Sequence, residues 1–143
     1  MKEFNFYNLK LVKEKTIEYN KVEDSEDAVE VCRKFLGDKS EEYFIAIGLN
    51  TIGQVICGFV ISVGELSRTL VHPREIFKKL FAANAYAFII AHNHPSGCVD
   101  FSSEDIECTR RLQECSDILG LKLLDSLVVS DVSYSSASVS GFL

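Results

Sequence analysis

Residues 85–105 read AYAFIIAHNHPSGCVDFSSED, and this stretch decides the fold of the chain. It opens with an apolar run that is too short for a helix and is bounded by polar residues, which is typical of a buried strand. Residues i and i+2 of a strand point to the same face, so His92 and His94 are expected to present both imidazoles to one side at the strand's exit. The Pro-Ser-Gly sequence that follows then turns the chain.

A helix is predicted to begin shortly after this turn. Ser102 is a residue type favoured at the N-cap, and Asp105 falls in the first helical turn three residues later. Apolar residues then recur at helical spacing until a glycine ends the pattern, at Cys108, Leu112, Cys115, Leu119 and Gly120. The helix start therefore brings one carboxylate back towards the two imidazoles.

Two imidazoles and one carboxylate form a ligand set that suits zinc. His92, His94 and Asp105 would occupy three tetrahedral positions and leave the fourth for water, as in catalytic zinc sites. The chain has three histidines, and two of them fall in this one motif. The simpler interpretation, in which one histidine ends the strand and the other is solvated, is disfavoured by so ordered a pattern. We therefore predict one bound Zn²⁺ per chain.

The same residues carry a resemblance to a known family. The pattern H-x-H-P-x6-S-x2-D at residues 92–105 is similar to the JAMM (MPN+) metalloprotease motif. Within it HPSG at 94–97, together with the upstream block VHPREIF at 71–77, resembles the RadC branch of that family. The resemblance covers about residues 42–129. It implies a single-domain α/β JAMM fold, similar to cytidine deaminase, with a mixed sheet flanked by about three helices and a zinc site for amide or isopeptide hydrolysis.

The resemblance also implies two catalytic residues beside the ligands. In JAMM enzymes a glutamate at the start of the strand after the first helix accepts the proton of the metal-activated water and passes it to the leaving amine, and Glu42 matches that place. Glu65 and Glu75 remain rivals for this role. Ser102 matches the JAMM serine that hydrogen-bonds the developing oxyanion, although it is equally suited to be only an N-cap.

Two positions depart from the RadC pattern. Cys98 and Val99 stand where many RadC-type sequences have Asp-Pro, and Ser126 follows Asp125 where they have histidine. The zinc ligands survive both changes, but these changes can remove an acceptor that orients a zinc-bound imidazole. Cys98 also has the reach to approach the metal, and its thiolate in the fourth position would turn an open site into a closed, inert one.

Composition limits both the size and the partners of the protein. The chain has one domain's length and is 47% hydrophobic, so we expect a single domain over residues 1–143 with the motif-bearing core at about 24–130. Longer RadC-type proteins carry an N-terminal region that resembles a DNA-binding helix-hairpin-helix, and this chain is expected to be a short form without it. The formal net charge of −6 gives phosphate no attractive field, which disfavours nucleic acid as a partner.

The cysteines and the apolar runs indicate a compartment. The five cysteines are odd in number and include no C-x-x-C pair, which argues against a disulfide framework and for a reducing compartment. No basic-then-apolar signal opens the chain, and no apolar run reaches transmembrane length. We expect a soluble cytoplasmic protein that does not bind a membrane.

The rest of the chain is predicted to alternate strands and helices. The expected elements are a strand at 4–11, a helix starting at Asp24 or Ser25 and ending at Gly37, a hairpin of strands at 43–47 and 55–61, an extended piece at 66–71, a helix from Pro73, a strand at 121–129 and an edge strand around Tyr134. The strand, helix, strand order predicts that some strands pair in parallel.

Two functional classes remain open at this stage. The leading hypothesis is a zinc-dependent peptidase or isopeptidase with a peptide or protein substrate. The alternative is a non-catalytic interaction module that uses the JAMM scaffold in DNA repair or mobile-element biology. A cupin would also use His-x-His on a strand, but cupins are all-β, and a zinc deaminase would need His-x-Glu and Pro-Cys-x-x-Cys. The substrate and the oligomeric state are left open.

Overall fold

The fold is built around one five-stranded sheet. A computed structural model describes residues 1–64 and 72–143, so the extended piece expected at 66–71 and the candidate residue Glu65 lie outside the described residues. The elements of the described ranges are α1 (Ser25–Leu36), β1 (Tyr43–Leu49), β2 (Val55–Val63), α2 (Pro73–Ala82), β3 (Ala87–Asn93), α3 (Ser103–Leu119), β4 (Lys122–Val129), β5 (Tyr134–Ser136) and α4 (Ala137–Ser140).

The strands lie in the order β2-β1-β3-β4-β5. β1 pairs antiparallel with both β2 and β3, β3 pairs parallel with β4, and β4 pairs antiparallel with β5. The predicted α/β fold with a mixed sheet is therefore confirmed, and so is the hairpin, which β1 and β2 form. The parallel pair is β3 and β4, joined through α3. Where about three helices were expected there are four in the described ranges, the last being a single turn.

Helices cover both faces of the sheet. One apolar layer joins α1 to alternate residues of the central strands, among them Ile45, Ile47, Leu49, Ile89, Ala91, Leu127 and Val129. The other joins α2 and α3 to the opposite set, among them Phe44, Ala46, Phe88 and Ile90. Because β3 is buried on both faces, its sequence is a continuous apolar run rather than an alternation.

The register of β1 against β3 positions the site. Phe44 stands opposite His92 in this antiparallel pair, so the start of β1 lies beside the end of β3. After the turn that follows β3, α3 begins at the same edge of the sheet. Three chain segments that are far apart in sequence therefore meet at this edge.

The expected N-terminal strand is wrong. Residues 1–20 form neither helix nor strand, and the side chains that suggested the strand are exposed, Phe4 at 81% and Phe6 at 91%. Alternation favours a strand only where a neighbouring strand and an apolar layer receive it. The backbone of this segment meets the sheet near its end, where the Asn20 carbonyl accepts from the Val55 N–H and Lys21 forms a single bridge with Gln54. No helix in the described ranges is long and apolar enough to cross a bilayer.

Candidate metal centre

The two histidines at the end of β3 converge on one point. His92 belongs to β3 and is 3% exposed, and His94 follows the strand by one residue. Their Nε2 atoms lie 3.1 Å apart, and the ring centroids are separated by 4.9 Å. Both imidazoles thus face the same side, as the i, i+2 spacing predicts.

Asp105 enters the same point from α3. Its backbone N–H donates to Ser102 Oγ at 3.1 Å, and its Oδ2 accepts from the Ser102 N–H at 2.8 Å, which together form a capping box. The carboxylate is almost fully buried, with Oδ1 3.2 Å from His92 Nε2 and Oδ2 3.8 Å from His94 Nε2. The helix cap therefore fixes the orientation of a carboxylate that faces both imidazoles.

These three side chains fit a zinc ion. Ligands about 2.0–2.1 Å from a tetrahedral zinc are about 3.3 Å from one another. The two Nε2 atoms here are 3.1 Å apart, His92 Nε2 is 3.2 Å from Asp105 Oδ1, and His94 Nε2 is 3.8 Å from Asp105 Oδ2. Two imidazole nitrogens and a carboxylate brought this close repel one another unless a proton or a cation lies between them. The donor set, two nitrogens and one oxygen, is one that zinc favours.

A second carboxylate, that of Glu42, stands beside the histidines. Glu42 directly precedes β1 and is partly buried, and its carboxylate, His92 and His94 have ligand atoms within 4.8 Å of one another. The His-His-Glu set is therefore also a possible metal site. Of the two carboxylates, that of Asp105 is the more buried and approaches His92 Nε2 to 3.2 Å, whereas Glu42 is the more accessible.

The rival Glu75 has a structural partner. It lies in the first turn of α2, where its carboxylate accepts from Lys78 Nζ at 2.9 Å. The hydrogen bond from Lys78 and the charge of that lysine lower the pKa of the Glu75 carboxyl. A carboxylate held ionised in this way is a poorer proton acceptor, so the geometry favours a helix-start role for Glu75.

Ser102 acts as the N-cap of α3. Its hydroxyl oxygen accepts from the Asp105 N–H, whereas an oxyanion would need the same hydroxyl as a donor. A serine hydroxyl has one donor and two acceptor sites, so the two roles use different parts of the group and do not exclude each other.

A main-chain carbonyl orients His94. The Nδ1 atom of this histidine lies 2.8 Å from the Cys98 carbonyl oxygen, and a carbonyl only accepts, so Nδ1 carries the hydrogen and Nε2 presents its lone pair to the site. Cys98 thus contacts the imidazole through its main-chain carbonyl, and the residue is exposed. The replacement of the usual aspartate by Cys98 leaves this carbonyl in place.

The contacts of Ser126 and Asp125 join β4 to α3 and to the end of the chain. Ser126 Oγ accepts from Thr109 Oγ1 at 2.8 Å, which ties β4 to α3. Asp125 accepts from Ser136 Oγ at 2.6 Å and from the Ser138 N–H at 3.0 Å. This pair of residues therefore anchors the end of the chain, and the imidazole of His94 uses another acceptor.

Sequence reasoning missed the part played by Asn93. The sequence pattern gave this residue between the histidines no role, but its amide reaches the main chain at the start of β1. Asn93 Oδ1 accepts from the Tyr43 N–H at 2.7 Å, and Nδ2 donates to the Glu41 carbonyl at 2.8 Å. A buried asparagine at a strand end was the available signal, because such an amide requires partners.

Comparison with known proteins shows which family the chain resembles. Residues 22–142 match the family model described as RadC-like JAB domain. The chain is 42% identical over 134 residues to the UPF0758 protein YsxA of Bacillus subtilis, which covers 94% of this chain and 57% of that protein. It is 42% identical over 122 residues to a UPF0758 protein of Bacillus velezensis, covering 85% of this chain and 53% of the relative. The chain thus spans about half the length of the curated relatives it matches.

Proposed function

This chain belongs to the RadC-like JAB domain family, and from that premise we propose that it is a zinc-dependent hydrolase that cleaves a peptide or isopeptide bond. The observation that carries the proposal is the convergence of His92 Nε2, His94 Nε2 and the Asp105 carboxylate within 3.1 to 3.8 Å of one another. A second carboxylate stands at the same point, as a hydrolase that moves a proton requires.

The ligand residues would hold the ion rigidly. His92 and Asp105 are buried, and the carboxylate is fixed by the capping box at the start of α3. The His94 ring is held by the Cys98 carbonyl. When bound, zinc lowers the pKa of a coordinated water to about 7 and polarises a carbonyl as a Lewis acid.

Glu42 would move the proton. Its carboxylate lies beside the imidazoles and is only partly buried, so it can accept a proton from the attacking water and deliver it to the nitrogen of the leaving amine. Ser102 would donate its hydroxyl hydrogen to the oxygen of the scissile carbonyl as negative charge develops there. Glu42 thus acts on the water and on the leaving nitrogen, and Ser102 acts on the carbonyl oxygen.

The substrate class follows from the reaction and the charge of the chain. We take the substrate to be a peptide or a protein, because the family resemblance concerns amide and isopeptide bonds. The net charge of −6 disfavours a nucleic acid partner. The five cysteines are free, which suits the reducing cytoplasm that we propose as the location.

The test combines metal content with hydrolysis. Protein purified without chelator should contain about one zinc per chain by elemental analysis. It should cleave members of a fluorogenic pool of peptides and lysine-linked isopeptides, and a chelator should stop the cleavage until zinc is restored. Protein without zinc would overturn the proposal. Stoichiometric zinc without cleavage of any pool member would favour the alternative, a binding module.

A further inference from the structure

The side-chain amide of Asn93 grips the main chain on both sides of Glu42. The amide oxygen accepts from the N–H of Tyr43, the residue after Glu42, and the amide nitrogen donates to the carbonyl of Glu41, the residue before it. At 2.7 and 2.8 Å both hydrogen bonds are short for this type. Asn93 itself is 5% exposed, so water has little access to replace either bond.

This arrangement reproduces a strand pairing with a side chain. In a parallel ladder the N–H and the C=O of one residue bind residues i−1 and i+1 of the neighbouring strand, which fixes the backbone of residue i between them. Here the side-chain amide of Asn93 makes the same two kinds of hydrogen bond, and residue i is Glu42. β1 and β3 themselves pair antiparallel, with Phe44 opposite His92 as the last backbone pair, so the amide adds a parallel-type contact where that ladder ends.

A third hydrogen bond holds Glu42 from the other side. The N–H of Gly64, just after β2, donates to the Glu42 carbonyl at 2.8 Å. Glu42 lies outside the strands, yet its main chain is held from both neighbouring strands.

We propose that Asn93 is a positioning residue, which sets where the Glu42 carboxylate stands relative to His92 and His94. The inference rests on the proposed function, because that proposal assigns the proton transfer to Glu42. Asn93 stands between the two histidines, so the same short segment carries both the metal ligands and the group that places the carboxylate. A displacement of about 1 Å at such a group can cost a reaction about 10²-fold.

The residue type matches this role. The contact needs one donor and one acceptor on a short side chain, and asparagine supplies both. Aspartate would keep the bond from Tyr43 but would oppose the Glu41 carbonyl, because an ionised carboxylate has no hydrogen to donate. Glutamine has both groups on a side chain that is one methylene longer, so it would shift the position of the two hydrogen bonds rather than remove them.

The experiment uses the full chain loaded with Co²⁺, whose visible absorption reports the coordination of the ion. The variants are Asn93→Ala, Asn93→Gln, Glu42→Gln and the double variant Asn93→Ala with Glu42→Gln. The matched control is Asn50→Ala, because Asn50 Oδ1 also binds two backbone N–H groups, those of Ile52 and Gln54, but at the far end of β1. Metal content and the thermal unfolding midpoint are measured for every variant.

The readout is the pH midpoint of the Co²⁺ spectrum. A carboxylate near the open position opposes the loss of a proton there, so Glu42→Gln should lower the midpoint. Asn93→Ala should lower it by at least about half as much, and it should add nothing in the Glu42→Gln background. Asn93→Gln should fall between wild type and Asn93→Ala. Asn50→Ala should leave the midpoint unchanged, and all variants should bind one ion per chain.

The possible failures point to different errors. A chain that binds no Co²⁺ would overturn the proposed function, and the inference with it. A Glu42→Gln midpoint equal to that of wild type would remove Glu42 from the proton transfer. A shift in Glu42→Gln with none in Asn93→Ala, or a shift of Asn93→Ala that persists in the Glu42→Gln background, would overturn the role of Asn93 alone. Cleavage of the peptide pool should repeat the same pattern, with kcat falling and KM nearly unchanged.

Discussion

Two buried aspartates of this protein, Asp105 and Asp125, have nearly equal exposure, 3% and 4%, but different partners. Asp125 is surrounded by neutral donors, the Ser126 N–H, the Ser138 N–H and the Ser136 hydroxyl, at 2.6 to 3.0 Å. Asp105 accepts one backbone N–H and otherwise faces two imidazoles. Burial of a carboxylate therefore does not by itself indicate a site, and the chemistry of its partners does.

The partners also explain what each charge does to its surroundings. The donors of Asp125 all belong to β4 and the end of the chain, so this carboxylate holds α4 against the sheet. Burial, and then the charge of Asp125, raise the pKa of the Cys32 thiol to about 12. The charge of Asp125 thus acts on a thiol inside the core. The charge of Asp105 faces two imidazoles, which are groups that can bind a cation.

Asp105→Asn should have the largest effect on hydrolysis. The amide keeps the shape of the side chain but removes the negative charge from the ligand set. Zinc affinity should fall more than about 100-fold, because losing only an outer partner of a ligand already costs about 10–100-fold. Elemental analysis after dialysis measures this, with His94→Ala as a parallel variant. Stoichiometric zinc in either variant would contradict the ligand assignment.

Glu42→Gln should separate metal binding from catalysis. Zinc content should stay at wild-type level, while cleavage of the peptide pool should fall by about 10²–10⁴-fold, because the amide cannot accept a proton. This variant extends the comparison to a third carboxylate, one that we propose to be neither a ligand nor a structural anchor. A loss of zinc in this variant would show that Glu42 belongs to the ligand set.

Ser102→Ala should reduce both stability and turnover. Loss of the N-cap of α3 should cost about 1 kcal/mol of unfolding free energy, and loss of an oxyanion donor should lower kcat by about 10²-fold. Asp24→Ala is the matched control, since Asp24 caps α1 by accepting from the Asp27 N–H at 2.9 Å. Equal kcat in wild type and Ser102→Ala would reduce Ser102 to a helix cap.

Asp125→Ala should lower stability and leave the chemistry intact. It removes the acceptor of two N–H groups and one buried hydroxyl, so the free energy of unfolding should fall by about 3 kcal/mol. Denaturant unfolding measures this loss, while zinc content and kcat below the unfolding transition should match the wild type. A loss of zinc in this variant would break the contrast between the two aspartates.

Cys98→Ala should have the smallest effect. The contact from this residue to His94 is made by its main-chain carbonyl, which alanine retains. Zinc-edge absorption spectra of the reduced wild type and of the variant should both show nitrogen and oxygen ligands only. A sulfur ligand at about 2.3 Å in the wild type would instead indicate a closed, inert site.

Local parts of the fold and of the candidate site could be predicted from the sequence. The apolar run of β3, the face shared by His92 and His94, and the capping box of α3 all depend on residues that are close together in the sequence. Strand alternation and helix caps act at that range, so the pattern alone carries them. The placement of Glu42 was suggested by resemblance, since no local pattern joins it to residues fifty positions away.

What the sequence by itself determined is a strand with two imidazoles on one face, followed by a helix that returns a carboxylate. Tertiary structure decided which segments meet this unit. The register of β1 against β3 brings Glu42 to the histidines, the amide of Asn93 turns out to hold β1, and the Cys98 carbonyl orients His94. The tertiary structure also leaves the apolar residues of the N-terminal segment outside any strand. Pairing between distant segments is chosen by packing and hydrogen bonding over the whole chain, and a local pattern does not contain that information.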